Sequence, residues 1–206
     1  MVSSSSLWLK QLHTWHWISS ALALVGMLLF AITGITLNHA AQIEAEPRIV
    51  KKTVELPSAM AGLIHAELPT RQGSQARLSA PVAQWIENNF DVDVSHALAD
   101  WSDNEIYFSL PKAGGDAWLQ IDPQANLVQY QLTDRGWIAL INDLHKGRHA
   151  GEVWHWFIDV FAVACLVFCI TGLVILKYHA GNRPLTWPVV AFGLLVPLVL
   201  VLLFVH

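Results

Sequence analysis

Three long uncharged stretches limit what this sequence can fold into. The runs Ile18–Leu37, Val160–Leu176 and Leu185–Val205 contain 20, 17 and 21 residues. About 20 apolar residues is the length that an α-helix needs to cross the hydrocarbon core of a bilayer. The composition points the same way, because 54% of the residues are hydrophobic and only 14% are charged. We therefore predict an integral membrane protein with three transmembrane helices.

The polar residues concentrate between the first two apolar runs. All 16 acidic residues lie between Glu44 and Asp159. Ser79 with Pro81 predicts the start of a helix. Short apolar runs separated by turn residues then predict strands, at Ala97–Trp101, Ile106–Leu110, Ala117–Ile121 and Leu127–Leu132. We predict a small α+β domain in which a helix precedes a four-stranded antiparallel meander.

The basic residues near the apolar runs predict the orientation of the chain. Lys10 precedes the first run, and Lys177 and Arg183 lie between the second and the third. Since short cytoplasmic loops carry an excess of Lys and Arg, both places are expected inside the cell. The predicted segments are a cytoplasmic N-terminus with the first transmembrane helix (1–39), an outer domain (40–143), a His-rich segment with the second helix (144–179), and a cytoplasmic loop with the third helix (180–206).

The charge balance excludes one class of partner. The formal net charge is −4 and the basic residues do not cluster, whereas nucleic-acid binding requires a basic patch. We expect no nucleic-acid partner. Both cysteines, Cys165 and Cys169, lie inside the second apolar run, where they are expected to act as small apolar residues.

Histidines concentrate at the ends of the first two predicted helices. Seven of the ten lie there: His13, His16, His39, His145, His149, His155 and His179. The first helix carries Trp-His-Trp around His16 and a Thr-Gly pair at 33–34, and the second carries Trp-His-Trp around His155 and a Thr-Gly pair at 171–172. Because the two helices run in opposite directions, this is an inverted repeat, which places equivalent sites at opposite membrane faces. Interfacial anchoring is the alternative role for such residues.

Helix length decides which histidines share a site. His16 and His39 are 23 residues apart, roughly 35 Å of helix, which exceeds an apolar thickness of roughly 30 Å. One cofactor cannot use both. Antiparallel pairing would bring His16 or His13 near His179 on the inner side. On the outer side it would bring His39 near His145, His149 or His155. Two facing imidazoles from two helices are what axial ligation of a b-type haem needs.

The segment Leu144–Gly151 carries the densest set of reactive side chains. His145 and His149 have the spacing of one helical turn, which predicts that they share one face. Lys146 and Arg148 would neutralise haem propionates or an anionic substrate. Thr33-Gly34 and Thr171-Gly172 are expected to leave room for a macrocycle or a close helix crossing.

Three motifs together resemble a known family. The stretches 12–17 (LHTWHW), 30–39 (ending in TLNH) and 144–149 (LHKGRH) look like those of the PepSY-associated transmembrane proteins, in particular the short three-helix branch. The resemblance implies that the outer segment is a periplasmic PepSY-like domain. It also implies a haem-binding bacterial inner-membrane reductase acting on ferric iron, often siderophore-bound. The positions that it marks as functional are His13, His16, His39, His145 and His149.

From the histidine patterns we expect a b-haem protein with one or two haems per chain, and the resemblance implies that it carries electrons outward to ferric iron or a ferric siderophore. The outer haem iron would be held by His39 with His149 or His145, and an inner haem by His16 or His13 with His179. The haem would be non-covalent, since no Cys-x-x-Cys-His is present. The donor would be a quinol or a cytoplasmic reductase. Two haem-carrying helices per chain predict a homodimer among membrane lipids.

Three other functions are compatible with the same residues. A non-redox regulatory or assembly protein would purify without haem. A divalent-metal permease component would bind zinc or copper through the histidines directly. A quinol-linked cytochrome b subunit would bind haem but pass electrons to another protein. No catalytic residue is assigned from the sequence.

Overall fold

The computed structural model describes residues 4–43 and 46–205. Residues 1–3, 44, 45 and 206, which the predicted segments include, lie outside the described residues. The helices in chain order are α1 (Ser4–Asn38), α2 (Ser58–Arg71), α3 (Ala80–Phe90), α4 (Gly136–Lys146), α5 (Glu152–His179) and α6 (Thr186–Phe204).

Three of these helices are long and apolar enough to cross a membrane. The candidate spans are Leu7–Asn38, Glu152–Asn182 and Thr186–Phe204. The prediction of three membrane helices is confirmed. The first two helices are longer than the uncharged runs because helical structure continues through the Trp-His-Trp segments at their ends.

Between α1 and α5 in the chain, six strands form one antiparallel sheet. They are β1 (Arg48–Glu55), β2 (Gln75–Ala76), β3 (Ala99–Trp101), β4 (Ile106–Ser109), β5 (Gly115–Asp122) and β6 (Leu127–Asp134). Their order across the sheet is β1-β6-β5-β4-β3-β2. The strands β3 to β6 are the predicted meander, and α3 is the predicted helix.

The core of this domain lies where α2 and α3 cover one face of the sheet. Ile64 of α2 and Ile86 of α3 are almost fully buried, together with Phe108 of β4 and Leu119 of β5. In β5 burial alternates strictly, which is the period expected for a strand with one covered face.

The described residues fall into two compact units, one from 4–29 and 156–205 and one from 30–43 and 46–155. In the first unit, α1 and α5 pack antiparallel. The ring centres of Trp8 and Tyr178 are 6.0 Å apart. Gly26 faces Phe161 so closely that a Cβ at that position would overlap the phenylalanine ring. A side chain at position 26 would therefore force the Phe161 ring to move.

Candidate functional site

Two histidines of the first unit face each other at one end of the helix pair. The ring centres of His13 and His179 are 5.9 Å apart and their planes are inclined by 80°. The Nδ1 of His13 donates to the carbonyl of Leu9 at 2.8 Å, and that of His179 donates to the carbonyl of Ile175 at 2.9 Å. Because a carbonyl oxygen only accepts, Nδ1 carries the proton, and Nε2 of the neutral ring keeps its lone pair. The structure thus joins one of the predicted inner pairs.

His16 occupies a different position, against the middle of α5. Its Nδ1 lies 3.0 Å from the hydroxyl oxygen of Thr171, which itself donates to the carbonyl of Val167 at 2.6 Å. The imidazole stacks on Phe168, with ring centres 4.9 Å apart and an interplanar angle of 15°. Its Cε1 lies over Gly172. We call His16, Phe168, Thr171 and Gly172 the His16 cluster.

His145 makes the same set of contacts in the second unit. Its Nδ1 lies 2.5 Å from the hydroxyl oxygen of Thr33, which donates to the carbonyl of Phe30 at 3.2 Å. The ring centres of His145 and Phe30 are 4.8 Å apart, and Gly34 faces the Cε1 of the imidazole. We call His145, Phe30, Thr33 and Gly34 the His145 cluster.

These clusters correct one expectation about the repeat. In the structure an imidazole lies over the glycine of each Thr-Gly pair, and the room for a macrocycle or a close helix crossing at these pairs stays a prediction. The sequence repeat pairs His16 with His155, whereas the residue with equivalent contacts is His145. The Nε2 of His155 instead donates to the carbonyl of Gly147 at 2.6 Å, which ties the start of α5 to the end of α4.

The expectation that His145 and His149 share one helical face is wrong. Gly147 ends α4 in the left-handed conformation, with φ of 69°. Its N–H donates to the carbonyl of Leu144, and the N–H of Arg148 donates to that of Asp143. These two bonds form a Schellman motif, which stops the helix. His149 follows with φ of 53°, outside α4 and exposed.

His39 lies just after the last residue of α1. Its Nδ1 donates to the carbonyl of Ile35 at 3.0 Å, so it has the same available Nε2 as His13 and His179. Within the part of the chain that the structure describes, no ring contact joins His39 to His145 or His149. The predicted pairing of His39 with either of them stays a prediction.

Lys146 and Arg148 line a cavity of about 440 Å³ in the second unit. Leu37 and Ala40, from the end of α1 and just beyond, supply part of its apolar wall, and α4 supplies the opposite side. Both cationic side chains are exposed. The lining also includes the cationic Arg135 and the acidic Glu46 and Asp143, so the cavity carries three positive and two negative side chains beside its apolar wall.

Groups of three or more His, Cys, Asp or Glu side chains that could hold a metal ion are absent among the described residues. What the histidines offer is one close pair and several single imidazoles with an available Nε2. Each available Nε2 can act as a ligand to a metal ion.

Two residues that bond histidines in this region were not predicted to do so from the sequence. Thr33 and Thr171 each accept a hydrogen bond from a histidine. The signal that could have identified them is the repeated pattern Phe-x-x-Thr-Gly, at 30–34 and 168–172. In a helix, positions i, i+3 and i+4 lie on one face, so this pattern presents the three residues together.

Comparison with known proteins decides the family. A family model described as PepSY_TM-like matches residues 7–206. The chain belongs to the PepSY_TM-like family. This confirms the resemblance drawn from the histidine motifs. Searches of curated proteins and of solved structures gave no match.

Proposed function

We propose that this PepSY_TM-like protein is a b-haem oxidoreductase of the bacterial inner membrane that passes electrons to ferric iron or a ferric siderophore on the periplasmic side. The observation that carries the proposal is the close pair of His13 and His179 with both Nδ1 atoms already engaged.

The chemistry of this pair fits haem. Two imidazoles that bind one metal ion through Nε2 at about 2 Å each have ring centres roughly 6 Å apart. The 5.9 Å between His13 and His179 agrees with that spacing. A ligating histidine also normally donates its other N–H to a carbonyl or carboxylate, which fixes the tautomer. His13 and His179 would therefore hold an inner haem, and His39 with His149 or His145 an outer one.

Haem, when bound, supplies a carrier for single electrons. The remaining tasks belong to the chain's own residues. Lys146 and Arg148 would attract an anionic ferric chelate through their local field. Reduction releases the iron, because oxygen anions attract the doubly charged ferrous ion more weakly than the triply charged ferric ion.

The sequence also supports a direction and partners for this activity. Lys10, Lys177 and Arg183 favour a cytoplasmic N-terminus, and the sheet domain would then lie in the periplasm. The electron donor would be a quinol or a cytoplasmic reductase. Four helices around the cofactors require a second copy of the chain, so the protein would act as a homodimer in the lipid bilayer.

An absorption spectrum of the purified protein, oxidised and dithionite-reduced, tests the cofactor. We expect a Soret band, and acid–acetone should extract all of the haem, because no covalent attachment motif is present. His13→Ala and His179→Ala should each remove the inner haem, and His39→Ala the outer one. His65→Ala and His96→Ala, at exposed positions of the sheet domain, are matched controls that should keep full haem content. A colourless wild-type protein expressed with ample haem would refute the proposal.

Sealed vesicles of uniform orientation test the direction of transfer. Ferric chelates on the sheet-domain side should oxidise the reduced protein rapidly, and chelates confined to the other side only slowly. Lys146→Glu with Arg148→Glu should slow the reaction with anionic chelates and remove its salt dependence. Lys51→Glu with Lys112→Glu makes the same charge change at exposed positions that do not line the cavity. Equal rates from both sides would favour the quinol-linked cytochrome.

A further inference from the structure

The His16 and His145 clusters are built from the same residue types in the same order. Each uses a Phe-x-x-Thr-Gly segment of a long helix to receive one imidazole. The phenylalanine contacts the ring, the glycine leaves space at Cε1, and the threonine bonds Nδ1. If the two histidines only filled space between helices, there would be no reason for both clusters to use the same residue types in the same order.

The threonine decides which nitrogen of the imidazole carries the proton. A hydroxyl has one hydrogen, and Thr171 donates it to the carbonyls of Val167 and Phe168, at 2.6 and 3.1 Å. Its oxygen is then left to accept, so the Nδ1 of His16 must be the donor in the bond of 3.0 Å between them. The Nε2 of the neutral ring keeps its lone pair.

The same reasoning applies to the second cluster. Thr33 donates to the carbonyl of Phe30 at 3.2 Å and accepts from the Nδ1 of His145 at 2.5 Å. Both imidazoles are half-buried, so water competes less for these bonds than at exposed His13, His39 and His179. A side-chain acceptor therefore selects the tautomer of the two more buried rings, and a backbone carbonyl does so for the three exposed ones.

We propose that Thr33 is a positioning residue that holds His145 in the tautomer and orientation that present Nε2 to the iron of the outer haem. Thr171 fixes the same tautomer at His16, which is not an iron ligand because His13 and His179 hold the inner haem. This assignment rests on the proposed function, because it takes haem as the group that the Nε2 of His145 binds. Histidine ligands depend on such partners: changing a group that bonds the other ring nitrogen typically lowers metal affinity roughly 10- to 100-fold.

Valine substitutions test the assignment, since valine has the shape of threonine but no acceptor. Thr33→Val should raise the dissociation constant of the outer haem roughly 10- to 100-fold. Thr33→Ser retains the hydroxyl and should restore most of the affinity. Thr171→Val is the matched control, because it removes the same contact from His16, which holds no haem, and should leave the haem affinity unchanged. Thr14→Val is a second control, because Thr14 lies in α1 like Thr33, is exposed, and donates its hydroxyl to the Lys10 carbonyl. If a valine variant does not fold, the alanine variant at that position replaces it.

A second measurement needs no haem. The ¹⁵N spectrum of histidine-labelled, haem-free protein, taken in mildly alkaline buffer where a free imidazole is neutral, reports which nitrogen is protonated. His16→Gln and His145→Gln assign the signals. We expect Nδ1–H at both residues in the wild type and a mixture of tautomers in the valine variants.

The outcomes separate this assignment from the proposed function. Unchanged tautomers in the valine variants would overturn it, as would an altered tautomer of His145 in Thr33→Val with unchanged affinity for the outer haem. Absence of a Soret band in the wild type defeats the proposed function and with it the ligand role of His145. The tautomer measurement would then still show whether the threonines position the rings.

Discussion

Alanine at Gly172 and at Gly34 should have different effects, although the two glycines occupy equivalent places. A Cβ at position 172 would lie 3.2 Å from the Cε1 of His16 and 3.7 Å from its Nδ1. Carbon atoms in good contact are about 3.5 to 4.0 Å apart, so the imidazole must retreat by a few tenths of an ångström. At position 34 the nearest atom, the Cε1 of His145, would be 3.7 Å away, which is an ordinary contact.

The size of the effect follows from these distances. If the ring of His16 retreats from Gly172 along its bond to Thr171, the present 3.0 Å lengthens past about 3.2 Å, where N–H···O bonds weaken. Loss of that bond costs about 1 kcal/mol, and crowding of a packed site adds roughly 1 to 3 kcal/mol. Both variants gain the same helix propensity, about 1 kcal/mol. We therefore expect Gly172→Ala to be less stable than Gly34→Ala by about 2 to 4 kcal/mol.

Thermal unfolding in detergent, followed by circular dichroism, measures this difference between two otherwise matched variants. The ¹⁵N signals of His16 should also shift in Gly172→Ala, while those of His145 stay unchanged in Gly34→Ala. Equal melting temperatures, or a lower one for Gly34→Ala, would show that His16 does not lie over Gly172 as described.

Three further predictions follow from single contacts. Gly26→Ala should displace the Phe161 ring from its place against α1 and lower the melting temperature, and adding Phe161→Leu should restore part of the loss; no recovery would contradict this contact. Asn142→Leu removes a buried acceptor of a threonine hydroxyl at 2.8 Å and should cost about 1 to 3 kcal/mol in unfolding free energy, which denaturation would measure. His155→Ala should lower stability by about 1 kcal/mol through loss of its bond to Gly147 but keep wild-type haem content; haem loss on spectroscopy would make His155 a ligand.

The sequence predicted those parts of the fold in which hydrophobic spacing matches burial. The meander from β3 to β6 was predicted from short apolar runs separated by turn residues, and in β3, β4 and β5 every second residue is buried. The edge strand β1 was missed because almost all of its residues are exposed, so it has no apolar period. The helix α4, which begins at Gly136 soon after β6 ends at Asp134, was not predicted from the sequence.

The histidine contacts also divide into those that helix geometry predicts and those that depend on the tertiary fold. The proximity of His13 and His179 could be predicted because it depends only on two antiparallel helices and their lengths. The contact between His145 and Thr33 could not, because it depends on α4, which brings His145 to the end of α1 from a separate element. His155 matches His16 in the sequence repeat, but its Nε2 donates to the carbonyl of Gly147, the residue that ends α4.

The structure therefore locates the repeat in the receiving helices and not in the histidines that they receive. Phe30, Thr33 and Gly34 lie on one face of α1 because of helical geometry alone, and the corresponding residues of α5 do so for the same reason. Such a short pattern is set by local structure. The histidine that donates to the threonine is set by tertiary structure, because His16 belongs to α1 whereas His145 belongs to α4. It follows that the Phe-x-x-Thr-Gly pattern marks where an imidazole is held, while the histidine that fills it must be found from the fold.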